Sequence, residues 1–257
     1  MKQAAHRASR RRREQHRVFR MAGPASQTGD RPTYLLLHGI GLSHRSFTPL
    51  AKALSASGDT IAPDLPGYGA TPTPDRPISV EQYAASIASV VERTAGGPVV
   101  VVGHSMGAQF ALELAITRPD LVESVVLAGP VVDPRWDNVA IQGALLAADA
   151  LTEPMATKLM AAHGYVRTGL PWFLTETREM LEYDTHERIG LLRKPLLVIR
   201  GEYDTIANEG WTEWLASQVA GGASRTFKGH SHNVIHSGPA EVAEAIVHFS
   251  SRSERQL

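Results

Sequence analysis

Val99-Val100-Val101-Val102-Gly103-His104-Ser105-Met106-Gly107 is the stretch that decides the fold. Its four consecutive β-branched residues predict a short strand buried on both faces. Gly103 to Gly107 then fits the pattern G-x-S-x-G, and Ala108-Gln109-Phe110-Ala111-Leu112-Glu113-Leu114-Ala115 reads as a helix. Strand, tight turn and helix, in that order, are the context in which this pattern carries meaning. The reason is steric. A serine on so sharp a turn takes a strained backbone conformation, and side chains two residues to either side would clash; Gly103 and Gly107 have none. Ser105 is then lifted above the sheet edge at a helix N-terminus, and the backbone N–H of Met106 is left free for a developing negative charge.

Working outward, residues 33–37 predict a strong apolar strand that runs into His38-Gly39-Ile40-Gly41. Residues 16–22 read as an earlier strand, 23–32 as a polar loop and 59–62 as a short strand. Between the last two, Phe47, Leu50, Ala51 and Leu54 recur at helical spacing and predict a helix over 46–57. Asp64-Leu65-Pro66-Gly67-Tyr68-Gly69 is a turn-rich loop. Ser79 followed by Gln82 predicts a capping box that opens a helix to about residue 94. Strands at 124–128, 195–200 and 224–227, a helix over 211–219 and a last helix opened by Pro239 complete the alternation. The expected fold class is α/β, a mostly parallel central sheet with helices on both faces. The alternation breaks after Pro134, and 135–190 holds helical patterns over 141–150 and 155–162 but no convincing strand. Three parts are therefore expected: a basic tail over 1–15, a core domain over 16–134 and 191–257, and an inserted helical cap over 135–190.

Composition sets the outer bounds. At 257 residues, 43% hydrophobic and 20% charged, the chain suits one globular domain with a large core. Its formal net charge is zero, but residues 1–20 carry Lys2 and seven arginines against Glu14, a balance of +7, so the remainder is about −7. The body therefore gives no reason to expect nucleic acid as a partner. No apolar run of about seven residues follows the basic start, as a targeting signal would require. None approaches the roughly 18 of a membrane span, so no membrane partner is expected. There is no cysteine, which removes disulfides, thiolate metal sites and a thiol nucleophile, and suits a cytoplasmic location.

The Ser105 stretch, with Leu36-Leu37-His38-Gly39-Ile40-Gly41 upstream and Gly201-Glu202-Tyr203-Asp204 downstream, resembles the α/β-hydrolase superfamily over about residues 17–250. The resemblance implies a serine nucleophile, an acid and a histidine in that chain order. A hydroxyl is a weak nucleophile at neutral pH and needs a base, which in turn needs an orienting acid. Asp204 follows a core strand and should lie at the carboxyl edge of the sheet, where ligands bind in α/β folds. Asp133, after the preceding strand, is the alternative acid, since some family members carry it there. Glu202 reads as a solvated turn residue.

The base is among three histidines in Gly229-His230-Ser231-His232-Asn233-Val234-Ile235-His236-Ser237-Gly238-Pro239. Many family members place glycine just before the catalytic histidine, which favours His230. Many also place a proline seven residues after it, which favours His232. Because the helix that Pro239 opens sets the reach of the loop, His232 is preferred, with His230 and then His236 behind it. By the same resemblance the oxyanion donors are the N–H groups of Ile40 and Met106, and His38 braces its loop. No cofactor and no metal is expected; a metal held by the three histidines is the weaker use of them.

The expected reaction is hydrolysis of a small carboxylic ester, lactone or similar acyl compound, with that small molecule as the partner. Carbon–carbon hydrolases and cofactor-free haloperoxidases share the triad and stay as alternatives, although the former typically carry Gly-Gly-Pro-Gly where this chain has Ile-Gly-Leu-Ser. A ligand-binding receptor on the same fold is the alternative outside enzymes. Leu145, Leu146, Met155, Leu159, Met160, Trp172 and Phe173 are available to line an apolar pocket above Ser105 or to pack the cap on the sheet.

Overall fold

The computed structural model describes residues 16–23, 31–136 and 138–253. The tail expected over 1–15 and most of the loop expected over 23–32 lie outside them.

Seven strands form one sheet in the order β1-β3-β2-β4-β5-β6-β7: β1 (Arg17–Met21), β2 (Thr33–Leu37), β3 (Asp59–Asp64), β4 (Val99–His104), β5 (Val122–Ala128), β6 (Leu196–Gly201) and β7 (Ala223–Phe227). β1 pairs with β3 antiparallel; every other pairing is parallel. The period-2 alternation of a strand explains where the helices go. Leu35, Leu37, Val99, Val101, Val125, Leu127 and Val198 point to one face, covered by α2 (Val80–Thr94), α3 (Met106–Thr117) and α8 (Glu209–Ser217). Tyr34, Leu36, Val100, Val102, Val126 and Ile199 point to the other, covered by α1 (Thr48–Leu54) and α10 (Pro239–Ser253). Both sets of β4 valines are fully buried, which is why that strand reads as an unbroken β-branched run.

The predicted boundaries shift in two instructive places. The helix expected over 46–57 is shorter, because a 3₁₀ turn over His44–Phe47 takes its first residues, capped by Ser43, and Pro49 sits in the first turn of α1. β3 runs on to Asp64, because pairing with β1 reaches that far. α2 opens on the full capping box, with the Ser79 side chain accepting from Gln82 N–H and the Gln82 side chain accepting from Ser79 N–H.

Between β5 and β6 the described chain is helical: α4 (Val139–Thr152), α5 (Met155–Thr168), α6 (Leu170–Glu182) and the short α7 (Thr185–Arg188). α7 is tied down by Arg188, whose guanidinium meets the buried Glu113 carboxylate of α3, which also accepts from Tyr183 Oη at 2.9 Å. The last elements are the single turn α9 (Val234–Ser237) and α10. No helix among the described residues is long and apolar enough to cross a membrane.

Candidate active site

The carboxyl ends of β2, β4, β5 and β6 converge on Ser105. Its φ of 56° and ψ of −126° lie where a residue with a side chain is strained. Two glycines make that turn possible. A Cβ on Gly103 would lie 2.1 Å from the Gly107 carbonyl oxygen, and one on Gly107 would lie 2.2 Å from the Leu37 carbonyl oxygen. The Ser105 N–H donates to the Ala128 carbonyl at the end of β5, at 2.9 Å, which fixes the turn to the neighbouring strand. Met106 opens α3, so its N–H has no acceptor within the helix.

The loop after β2 lies against the same serine. A Cβ on Gly39 would sit 2.8 Å from the Ser105 Cβ. Leu42 N–H donates to the Gly39 carbonyl at 3.2 Å and closes the turn that contains Ile40. His38 braces this loop: its Nδ1 donates to the Gly39 carbonyl (3.0 Å) and its Nε2 accepts from Leu65 N–H (3.1 Å). Burial pushes its pKa down to about 4, so it stays neutral.

Asp204 and His232 meet across the loops that follow β6 and β7. His232 Nδ1 donates to Asp204 Oδ2 at 3.0 Å. The other carboxylate oxygen accepts from Ile206 N–H (2.9 Å) and Ala207 N–H (2.8 Å). Burial alone would raise the Asp204 pKa, but the His232 ring and the two peptide donors hold it below the usual carboxylate value. Burial lowers the His232 pKa, but attraction to Asp204, the hydrogen bond to it, and the more distant Asp149 and Glu153 together push it up to about 9. The Nε2 of His232 is buried and has no hydrogen-bond partner among the described residues.

The pair and the serine share one corner of the sheet. A Cβ on Gly129 would lie 2.9 Å from His232 Nδ1 and 3.2 Å from Asp204 Oδ2, one residue from the carbonyl that holds Ser105. His104, immediately before the serine, has its ring centroid 4.8 Å from that of His232 and donates from Nε2 to the His232 carbonyl at 3.0 Å. Burial drives its pKa down to about 3, which keeps it a neutral donor.

The rival residues are placed elsewhere. His230 Nδ1 pairs with Ser237 Oγ at 2.9 Å, and His236 Nδ1 with Thr157 Oγ1 at 3.0 Å. Asp133 accepts from Arg135 and from Asn208 Nδ2 (2.8 Å), and among the described residues no histidine is hydrogen-bonded to it. The three imidazoles of the loop thus turn to three different partners, and no cluster of three or more potential metal ligands exists among the described residues.

Sequence reasoning missed several residues that build this site. Arg200 wraps the acid loop, donating from Nε to the Ala207 carbonyl (2.7 Å) and from Nη2 to the Asp204 carbonyl (3.1 Å). An arginine ending an otherwise apolar strand was the available signal. Glu202 is not merely solvated: its Oε2 accepts from Gly229 N–H at 2.9 Å and joins the acid loop to the histidine loop. Nothing in the sequence marked Asp149 and Glu153, which lie at the end of α4 and reach the same loop. The apolar set expected above Ser105 needs a correction. Met155 and Leu159 are 67% and 65% exposed, whereas Tyr165 of the same helix packs over Gly41. A Cβ on Gly41 would lie 2.1 Å from the Tyr165 ring and 3.4 Å from Phe173. Trp172 covers Gly67 in the same way, with its Nε1 2.0 Å from where a Cβ would stand.

A family model described as the alpha/beta hydrolase family matches residues 34–245. The chain is 38% identical over 100 residues to the 2-(acetamidomethylene)succinate hydrolase of Mesorhizobium japonicum, a match covering 39% of this chain and 36% of that protein. It is 29% identical over 250 residues to the pimeloyl-[acyl-carrier protein] methyl ester esterase of Aromatoleum aromaticum, covering 84% of this chain and 97% of that one. The chain spans 36–49% of the length of the curated relatives that match it at 34–38% identity. A thermophilic esterase from Thermogutta terrifontis superposes with a TM-score of 0.78 at 17% identity, over 93% of each chain. A match that runs from β2 into the last helix, on the sheet and turn geometry described above, means that the chain belongs to the alpha/beta hydrolase family.

Proposed function

We propose that the protein is a serine hydrolase of small carboxylic esters, lactones or similar acyl compounds, with Ser105 as nucleophile, His232 as base and Asp204 as its orienting acid. The observation that carries the reading is the state of His232: one ring nitrogen is fixed by a buried carboxylate, while the other is buried, unpartnered and beside the strained serine turn. Once neutral, a base held in this way keeps its proton on Nδ1 and accepts the serine proton at Nε2.

The Ser105 Oγ attacks the substrate carbonyl carbon while its proton passes to His232 Nε2. The carbonyl π pair moves to oxygen, and the N–H groups of Ile40 and Met106 receive the oxyanion. Asp204 keeps Nδ1–H in place and balances the imidazolium. His232 then returns the proton to the leaving group, and water repeats the sequence on the acyl-enzyme. The methyl ester named for the Aromatoleum relative and the acetamido compound named for the Mesorhizobium relative both carry an acyl group, which supports an acyl substrate.

The test is turnover of p-nitrophenyl acetate together with labelling by a serine-directed phosphonate. Ser105→Ala is expected to lower kcat by at least about a thousandfold and to abolish labelling, with an unchanged thermal transition. Wild-type protein that neither labels nor turns over would instead favour a binding role on the same fold. Turnover retained in Ser105→Ala would end the proposal.

A further inference from the structure

Besides Glu202 at its start, three carboxylates surround the His232 loop, and only Asp204 has a role in the mechanism above. The other two come from the cap side. Asp149, on the last turns of α4, is 1% exposed, and its Oδ1 accepts from the His232 N–H at 2.9 Å. Glu153, the residue after α4, accepts through Oε1 from the Asn233 N–H (2.7 Å) and from Asn233 Nδ2 (3.0 Å). Two more bonds extend the same seam: Ser231 Oγ donates to Thr152 Oγ1 at 2.8 Å, and Thr157 Oγ1 pairs with His236 Nδ1 at 3.0 Å. Residues 231–236 are thus fastened to residues 149–157 rung by rung.

Backbone capping alone does not explain the choice of acids. A buried peptide N–H needs an acceptor, and a neutral Asn or Ser would serve. Among the described residues, neither Asp149 nor Glu153 has a lysine or arginine within ion-pair distance, and Glu153 Oε2 has no hydrogen-bond partner. Burying two carboxylates without a cation is costly. The nearby groups able to become cations are the imidazole of His232, which faces both carboxylates, and that of His236, which faces Glu153 alone; Tyr165 of α5 also faces the two acids and stays neutral.

We propose that Asp149, with Glu153 behind it, is a positioning residue of the triad: α4 holds the histidine loop in place, and the Asp149 charge steadies the imidazolium that forms when Ser105 gives up its proton. The inference rests on the reading of Ser105, His232 and Asp204 given above. No proton passes to Asp149, which bonds the backbone of His232 and not its ring. The groups facing the ring are Asp204 from the loop after β6, Asp149 and Glu153 from the end of α4, and the neutral His104 from the end of β4. The charge pattern agrees with the geometry, since Asp149 and Glu153 both raise the His232 pKa against the lowering effect of burial.

Asp149→Asn separates the two contributions, because the amide oxygen can still accept from the His232 N–H while the charge is gone. The measurements are kcat and KM for p-nitrophenyl acetate across pH, and the ring titration of His232 by NMR in the intact protein. Asp149→Asn is expected to move both the His232 midpoint and the rising limb of kcat/KM to lower pH, by up to about one unit. Above that limb kcat should fall about 3- to 10-fold, with KM nearly unchanged. Asp149→Ala also removes the acceptor, and a further loss to about 10- to 100-fold is expected if the fold is kept. Asp149→Asn is the deciding variant. A wild-type ring midpoint, pH profile and kcat in that variant would overturn the inference. Ser105→Ala and His232→Ala are the controls: activity retained in them defeats the triad reading, whereas activity lost in them with wild-type behaviour in Asp149→Asn defeats this inference alone.

Discussion

His232 can act as a base only after losing the proton that its surroundings favour. Burial disfavours the imidazolium, but Asp204, Asp149 and Glu153 outweigh it and push the pKa up to about 9. The neutral form is therefore scarce at pH 7 and grows as the pH rises. The expected outcome is a kcat/KM that climbs through the mildly alkaline range and levels off above about pH 9, read from a pH–rate profile with a neutral ester. A limb centred near the ordinary imidazole value of about 6.5 would contradict this account of the charges. A second prediction belongs to Gly129, at a φ of 55° and in contact with both Asp204 and His232. In Gly129→Ala the new methyl must displace the imidazole or the carboxylate. A loss of about 10- to 100-fold in kcat is expected, with phosphonate labelling slowed in proportion. Unchanged kinetics would mean that the pair tolerates displacement.

The elements show how much of this was legible in the chain. The β4–turn–α3 unit could be read from Val99 to Gly107 alone, because its steric demands leave few other residues possible. α2 announced itself through Ser79 and Gln82, and β5 and β6 through their apolar runs. Apart from Arg200, which grips its own loop, what stayed hidden consists of contacts between segments distant in sequence. That Asp149 reaches the N–H of His232, 83 positions later, is a matter of how α4 lies against the loop. No periodicity in 139–152 records it. Met155 and Leu159 illustrate the opposite error. Their spacing is that of a buried helix face, yet both are exposed, since hydrophobicity states a preference and tertiary placement decides. Distance to Pro239 favours His232 over His230; in the structure His230 pairs with Ser237 within its own loop, and His232 reaches Asp204 on the loop after β6.

For the molecule as a whole, one buried acid outside the site makes stability depend on pH. Glu176 of α6 is fully buried, and neither carboxyl oxygen has a hydrogen-bond partner among the described residues. Burial, with a smaller contribution from Glu179, pushes its pKa up to about 8, against the lowering effect of the Tyr83 hydroxyl. An acid whose pKa is higher folded than unfolded binds more protons in the folded state between the two values. Its stabilising effect is therefore present at low pH and is lost as the pH rises from about 4.5 to about 8. Glu176→Gln should remove that dependence and make the protein more stable than wild type at pH 8, by up to a few kcal/mol. Denaturant unfolding at pH 5 and pH 8 checks the sign. A stability difference between the two proteins that does not grow with pH would refute it.

The central position of β4 also bears on how the chain is made. Its valines must be covered by β2 and α1, which emerge earlier from the ribosome, and by β5, α3 and α10, which emerge later. Until residue 128 and beyond are available, a β-branched strand with no charge stands with one edge open, the kind of segment that invites association between nascent chains. Slower synthesis lengthens the interval during which that edge stands open.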